Sequence, residues 1–147
     1  MRLLLILLSF LTIPIINAQS LDARIAPLAS KSLLLDITEI NQEKLVAVGE
    51  RGHILYSTDG VNWQQAQVPV QTTLTAVFFI DESNGWAVGH DATILSSNDG
   101  GISWQIQQFL PQVEKPLLDV LFLDENNGIA IGAYGLFYRT TDGGKSW

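Results

Sequence analysis

The 147-residue chain contains no cysteine. No disulfide can staple it, so an exported product must be held together by packing alone. A lipid-modified cysteine at a signal cleavage point is excluded as well. Basic residues are also scarce, at eight Lys and Arg against fifteen Asp and Glu, for a net charge of −7. That balance argues against non-specific nucleic-acid binding, which needs a basic surface, and against adhesion to anionic lipid. There are only two histidines, His53 and His90, and neither falls in a nucleophile motif. With cysteine absent, neither a Ser–His–Asp nor a Cys–His arrangement is available. No stretch keeps a 3.6-residue apolar period, so little helix is expected.

What is present begins with an apolar leader. Residues 1–18 read MRLLLILLSFLTIPIINA: one basic residue at Arg2, an apolar run over 3–16, and a small residue, Ala18, before Gln19. This predicts a secretory signal cut after Ala18. The run is short for a spanning helix, and Pro14 and Asn17 interrupt it. After cleavage the charge becomes −8, from seven basic and fifteen acidic residues. The expected location is exported: periplasm, extracellular space or thylakoid lumen, with no direct membrane insertion of the processed chain. Residues 19–32, with Pro27, form a leader into the first repeat unit.

The loudest signal is a motif written three times: STDGVNW at 57–63, SNDGGISW at 97–104 and TTDGGKSW at 140–147. Gly49, Gly89 and Gly132 recur ahead of it at spacings of 40 and 43 residues, as do Asp59, Asp99 and Asp142. Each unit offers four short candidate strands, A to D. In the second unit these are about 74–80, 86–89, 93–97 and a strand from Trp104. Asn84-Gly85 and Asn127-Gly128 read as tight turns between A and B. Strand A is nearly continuous apolar, the pattern of a strand buried on both faces. Four strands per 40 residues is the period of a propeller blade. The predicted fold is therefore all-β: about two and three-quarter blades of a larger ring, at 33–72, 73–116 and 117–147. The third blade stops at the first residue of its D strand. An unpaired sheet edge and apolar outer faces should make it aggregation-prone alone.

The repeated motif reads as structural. Aspartate turns its carboxylate onto backbone N–H groups of its own loop. Glycine supplies positive φ, the alcohol hydrogen-bonds within the turn, and tryptophan plugs the blade. Its residues are Ser57, Asp59, Gly60 and Trp63; Ser97, Asp99, Gly101 and Trp104; and Thr140, Asp142, Gly144 and Trp147. A calcium loop would need several converging oxygen ligands with a distal bidentate Glu. Neither these turns nor DESNG (81–85) and DENNG (124–128) offer that. No catalytic residue, cofactor or metal ligand is assigned.

Strand parity puts the motifs and A–B turns on one face and the B–C and D–A loops on the other. There the repeats stop agreeing. Glu50, His90 and Ala133 share one register position, and Arg51, Asp91 and Tyr134 share the next. Loops vary without harming a scaffold, so Glu50, Arg51, His90, Asp91 and Tyr134 are the candidate partner-binding residues. His53 and the longer loop 110–116 lie on the same face. The two histidines are read as surface or strand-edge residues.

The S/T-x-D-G-G-x-S-W box on this period resembles the Asp-box, or BNR-repeat, propellers. LTAVFFIDESNGWAVG (74–89) and LLDVLFLDENNGIAIG (117–132), each ahead of a box, sharpen this. They are similar to the photosystem II stability and assembly factor family and its non-photosynthetic bacterial relatives. The first unit departs, with NQEK (41–44) at its A–B turn and a shortened box. The resemblance implies a non-enzymatic assembly factor that binds a membrane-protein intermediate through a basic groove. A second reading remains: an exported sialidase-like glycoside hydrolase or glycan-binding propeller, since sialidases share the box. Such enzymes need an arginine cluster to clamp a carboxylate. The processed chain has only Arg24, Arg51 and Arg139, and ARIAP (23–27) is the nearest match to the enzymes' arginine signature.

Overall fold

A computed structural model of the chain describes residues 21–147; the expected signal segment lies outside them. No α-helix occurs among the described residues, only five single-turn 3-10 segments. The strands build three antiparallel sheets. The first holds β1 (Leu34–Ile40), β2 (Lys44–Gly49), β3 (Ile54–Ser57) and β4 (Gln64–Gln65) in sequence order. The second holds β5 (Leu74–Phe79), β6 (Gly85–Gly89), β7 (Thr93–Ser97) and β8 (Gln105–Gln108). The third has three strands, β9 (Leu117–Phe122), β10 (Gly128–Gly132) and β11 (Phe137–Thr140). The all-β, partial-propeller expectation holds.

The sheets stack through their faces, with the first strands β1, β5 and β9 side by side. One core joins sheets one and two, where Val46, Val48 and Ile54 meet Leu74, Val77, Ala87, Leu95 and Trp104. A second joins sheets two and three, where Ala76, Trp86, Val88 and Ile94 meet Leu117, Val120, Phe122 and Ala130. The outer faces stay open: Leu35 and Ile37 of β1, and Leu118 and Leu121 of β9, are all exposed. Burial of strand A on both faces is thus confined to β5. The end strands β1 and β9 have a neighbouring sheet on one side only.

Each first strand carries a bulge near its start, opposite the end of the second strand. A bulge frees a backbone N–H that needs an acceptor. In β1 and β9 the residue itself supplies one: Ile37 N donates to Asp36 Oδ1 at 2.9 Å and Val120 N to Asp119 Oδ1 at 2.8 Å. In β5 the equivalent position is Ala76. Val77 N donates instead across the sheet gap to Asp36 Oδ2 at 2.9 Å. One carboxylate therefore serves two bulges in two sheets. Replacing Asp36 with alanine strands the amide of Val77, which is buried. The expected cost is about 1–3 kcal/mol, read as a lower urea midpoint at unchanged slope.

The A–B turns differ from the tight hairpins expected. Gly85 and Gly128 are not the left-handed residues of a two-residue hairpin; neither has positive φ. They open β6 and β10. The turn is made by aspartate: Asp81 Oδ1 accepts from Ser83 N and Asn84 N at 2.7 Å each, and Asp124 Oδ1 from Asn126 N and Asn127 N at 2.8 Å each. Glycine is required for room. A Cβ on Gly85 would enter the ring of Phe79, and one on Gly128 the ring of Phe122.

The leader is docked rather than free. Ala23 N donates to Val68 O at 2.7 Å, and the Gln65 side chain bridges Ala26 N and the Arg24 carbonyl.

Candidate functional site

The two ends of the sheets have opposite characters. At one end lie the three boxes. In the second, Ser97 Oγ donates to Asp99 Oδ1 at 2.8 Å and accepts from Gly101 N at 2.9 Å. Asp99 Oδ1 also accepts from Ile102 N and Ser103 N at 3.0 Å each, and Oδ2 from Ser103 Oγ at 2.6 Å. The third box repeats this with Thr140, Asp142, Gly144 and Ser146. The shortened first box uses Gly60 N to Ser57 Oγ, and Asn62 supplies both backbone and side-chain donors to Asp59. Gly60, Gly101 and Gly144 all take positive φ. These carboxylates are spent inside their own turns.

The tryptophans are not equivalent. Trp104 is buried, donates through Nε1 to Gly101 O at 3.1 Å, and meets Phe79 edge-on at 5.8 Å. It belongs to the core shared with sheet one. Trp147 meets Phe122 edge-on and donates to Gln107 Oε1 of sheet two at 3.2 Å. Each plugs the gap toward the preceding sheet. Among the described residues no sheet precedes that of Trp63, which is half-buried.

Hydrogen bonds hold the box carboxyls below their ordinary values. Asp142 is brought to about 2, chiefly by the Ser146 hydroxyl and amide. Asp59 falls further, through Asn62. For Asp99 burial is the largest influence and works upward, but donors from Ser103, Ser97 and Ile102 outweigh it. A carboxyl depressed on folding contributes stability above its unfolded value, and loses it as pH falls through the folded value. The boxes should therefore weaken only below about pH 4. His53 acts earlier. Its pKa is lowered, first by burial, with Arg51 adding and Glu50 opposing. The unfolded chain takes that proton more readily, so stability should begin to fall below pH 6.5. Acid unfolding followed by tryptophan fluorescence checks both windows; removing His53 should abolish the earlier one only.

The opposite end carries the B–C loops. Arg51, Asp91 and Tyr134, aligned in register, all have left-handed backbone, with φ of 57°, 59° and 56°. The loop geometry is thus kept while the side chain changes. Arg51 and His90 are exposed, and Tyr134 is 86 % exposed with Lys115 Nζ 5.9 Å from its ring centre. Asp91 is half-buried and accepts from Thr72 Oγ1 at 3.1 Å. Glu50 accepts from Leu33 N at 3.2 Å. Lys115 O also accepts from Ala92 N, so loop 110–116 ties the second B–C loop to the third. Arg51 stands apart from these, over a cleft shared with the leader.

Of the surface or strand-edge positions expected of it, His53 takes the strand edge, directly before β3. It is buried at 4 % exposure, and its Nδ1 has no hydrogen-bond partner. Its position one residue before the apolar ILY run was the available signal.

Antiparallel sheets stacked face to face, each third strand followed by an alcohol–aspartate–glycine turn, define the BNR-repeat class of β-propeller. The family model described as Photosynthesis system II assembly factor YCF48 matches residues 57–147. The chain belongs to that family. It is 46 % identical over 56 residues to Photosystem II assembly protein Ycf48 of Synechococcus sp. (strain JA-2-3B'a(2-13)), covering 37 % of this chain and 16 % of that protein. It is 40 % identical over 48 residues to Photosystem II assembly lipoprotein Ycf48 of Prochlorococcus marinus (strain MIT 9312), covering 33 % and 14 %. Two solved structures are similar. YCF48 bound to a D1 peptide has a TM-score of 0.67 at 26 % identity, covering 78 % of this chain and 39 % of that one. YCF48 from Cyanidioschyzon merolae has a TM-score of 0.64 at 25 % identity, covering 84 % and 41 %. The chain thus spans well under half the length of the relatives it matches.

Proposed function

We propose that this chain is the blade-forming part of an exported, non-enzymatic scaffold. It binds a protein partner during assembly or stabilisation of a membrane complex, in the manner of the photosystem II factors, at an envelope or thylakoid membrane. The partner face is the B–C end: Glu50, Arg51, His90, Asp91 and Tyr134, with loop 110–116. One observation carries this. The backbone of these loops is held constant in left-handed geometry while charge and aromaticity differ from blade to blade. That is how a framework presents a varied contact surface. A relative in complex with a D1 peptide supports a peptide or protein as the class of ligand. The box end is a poor site by comparison, since its carboxylates are consumed by their own turns.

The test is co-purification of the tagged chain with membrane complexes from the host. Capture should fall severalfold in a Tyr134→Ala, His90→Ala double variant and stay unchanged in Val61→Ser, at the exposed tip of the first box. Equal capture by both variants would remove the B–C end as the partner face. Hydrolysis of a fluorogenic sialoside by the protein would overturn the scaffold reading in favour of the glycosidase.

A further inference from the structure

The gap between the second and third sheets opens at the box end into a polar cleft of about 300 Å³. Trp86 lies buried at its floor, and Asn98, Glu125, Asn126 and Lys145 stand exposed around it. The gap between the first and second sheets is filled at the matching place. There Val46 pairs with Tyr56, whose ring packs against the shared core and carries Lys44 Nζ 5.3 Å from its centre. Here Trp86 pairs with Ser96, and a hydroxymethyl group in place of a ring leaves the space.

The lining is rich in uncharged hydrogen-bonding groups. Trp86 is 5 % exposed with Phe122 stacked on its ring, so it offers its N–H rather than a face. That Nε1 has no hydrogen-bond partner, whereas Trp104 and Trp147 both donate through theirs. A buried N–H without an acceptor costs free energy that a ligand oxygen can return. The box carboxylates are spent in their turns, but among the described residues the Ser96 hydroxyl and the carboxamides of Asn98 and Asn126 make no hydrogen bond.

We propose that this cleft is a binding site for one neutral hexopyranose ring, free or at the end of a longer glycan. A carboxamide is donor and acceptor at once, and so is a hydroxyl. Neighbouring ring hydroxyls therefore match Asn98, Asn126 and Ser96, and one of their oxygens accepts from Trp86 Nε1. The charges at the rim select against ionic ligands: an anion meets Glu125 and Asp142, and a cation meets Lys145. The volume is at the small end for ligand pockets, about 300–1,000 Å³, which suits a single ring. The site lies at the opposite end of the sheets from the proposed partner face and does not depend on it.

The experiment titrates the isotope-labelled chain with the methyl glycosides of glucose, galactose and mannose, with methyl β-lactoside, with N-acetylneuraminate and with glycerol. The expected result is saturable binding of at least one neutral glycoside that shifts the Trp86 indole N–H and the side-chain amides of Asn98 and Asn126. Tighter binding of the lactoside than of methyl galactoside assigns the end of a glycan, and equal binding a lone ring. Trp86→Phe should weaken binding roughly tenfold, read from the two carboxamides. Ser96→Tyr, which restores the ring found in the first gap, should abolish it at an unchanged unfolding midpoint. The Tyr134→Ala, His90→Ala double variant should bind the sugar as the parent does, so loss of partner capture and loss of sugar binding are separate results. The site is overturned if no neutral glycoside moves the Trp86 indole, if glycerol moves it at equal concentration, if N-acetylneuraminate binds more tightly, or if Ser96→Tyr binds unchanged.

Discussion

Replacing Phe122 with alanine is expected to uncouple the third sheet from the second, at a cost of about 3–5 kcal/mol. Phe122 is 3 % exposed and lies flat against Trp86, with ring centres 3.4 Å apart and planes 12° from parallel. It also meets Trp147 edge-on at 5.8 Å. It is therefore the middle ring of three, between one from the second sheet and one from the third box. Its removal opens a cavity and ends both ring contacts, each worth about 0.5–1.5 kcal/mol beyond area burial. Among the described residues the third sheet has three strands and one packed face, and none of them covers its far side. Amide exchange of β9–β11 should then accelerate far more than that of β1–β4. Uniform acceleration across all three sheets would show that they unfold as one unit. Trp86→Phe is the informative partner change. It keeps a ring on Phe122 and removes an indole N–H that is buried without an acceptor. Its expected effect is close to neutral, because shed desolvation offsets lost area.

The range of each interaction decided whether the sequence revealed it. The boxes were legible because their chemistry closes within five residues. Asp99 finds its donors at Ile102 and Ser103, and Ser97 finds Gly101. Strand positions were legible from apolar runs cut by such turns. Three features were not. Asp36 reads as a polar interruption of LLLDI, yet its second oxygen satisfies Val77, 41 residues away. Gly85 reads as half of a turn, yet it makes room for the Phe79 ring. His53 reads as a surface or strand-edge residue, yet it is buried beside the docked leader. Each depends on what a neighbouring element brings to the spot, which local spacing does not encode. The same applies to the tryptophans: their place in the turn is local, and the sheet they pack on is not.

The glycine that ends each second strand is required for space. Gly49, Gly89 and Gly132 set the repeat register, and the structure gives the reason. A Cβ on any of them would collide with the carbonyl oxygen just ahead of the first strand, that of Leu33, Thr73 or Pro116. The same three oxygens accept the next residue's amide: Glu50 N at 3.0 Å, His90 N at 2.9 Å and Ala133 N at 3.0 Å. Backbone thus lies on backbone at the point where the chain leaves the sheet for the B–C loop. None of these glycines has positive φ, so conformation does not demand them. Gly89→Ala should cost about 3 kcal/mol, the upper end for overpacking, because the obstructing atom is a peptide oxygen held by its own hydrogen bond. The bond His90 N–Thr73 O must lengthen or break, and the Asp91 loop moves with it. Affinity for a partner at that end should therefore fall along with stability. Gly135→Ala is the contrast. It lies in the third loop at φ 77° with open space around its Cβ position. Its expected cost is only the strain of left-handed alanine, about 1–2 kcal/mol. If Gly89→Ala proves the milder of the two by urea unfolding, the close backbone approach is not what fixes the register of the blades.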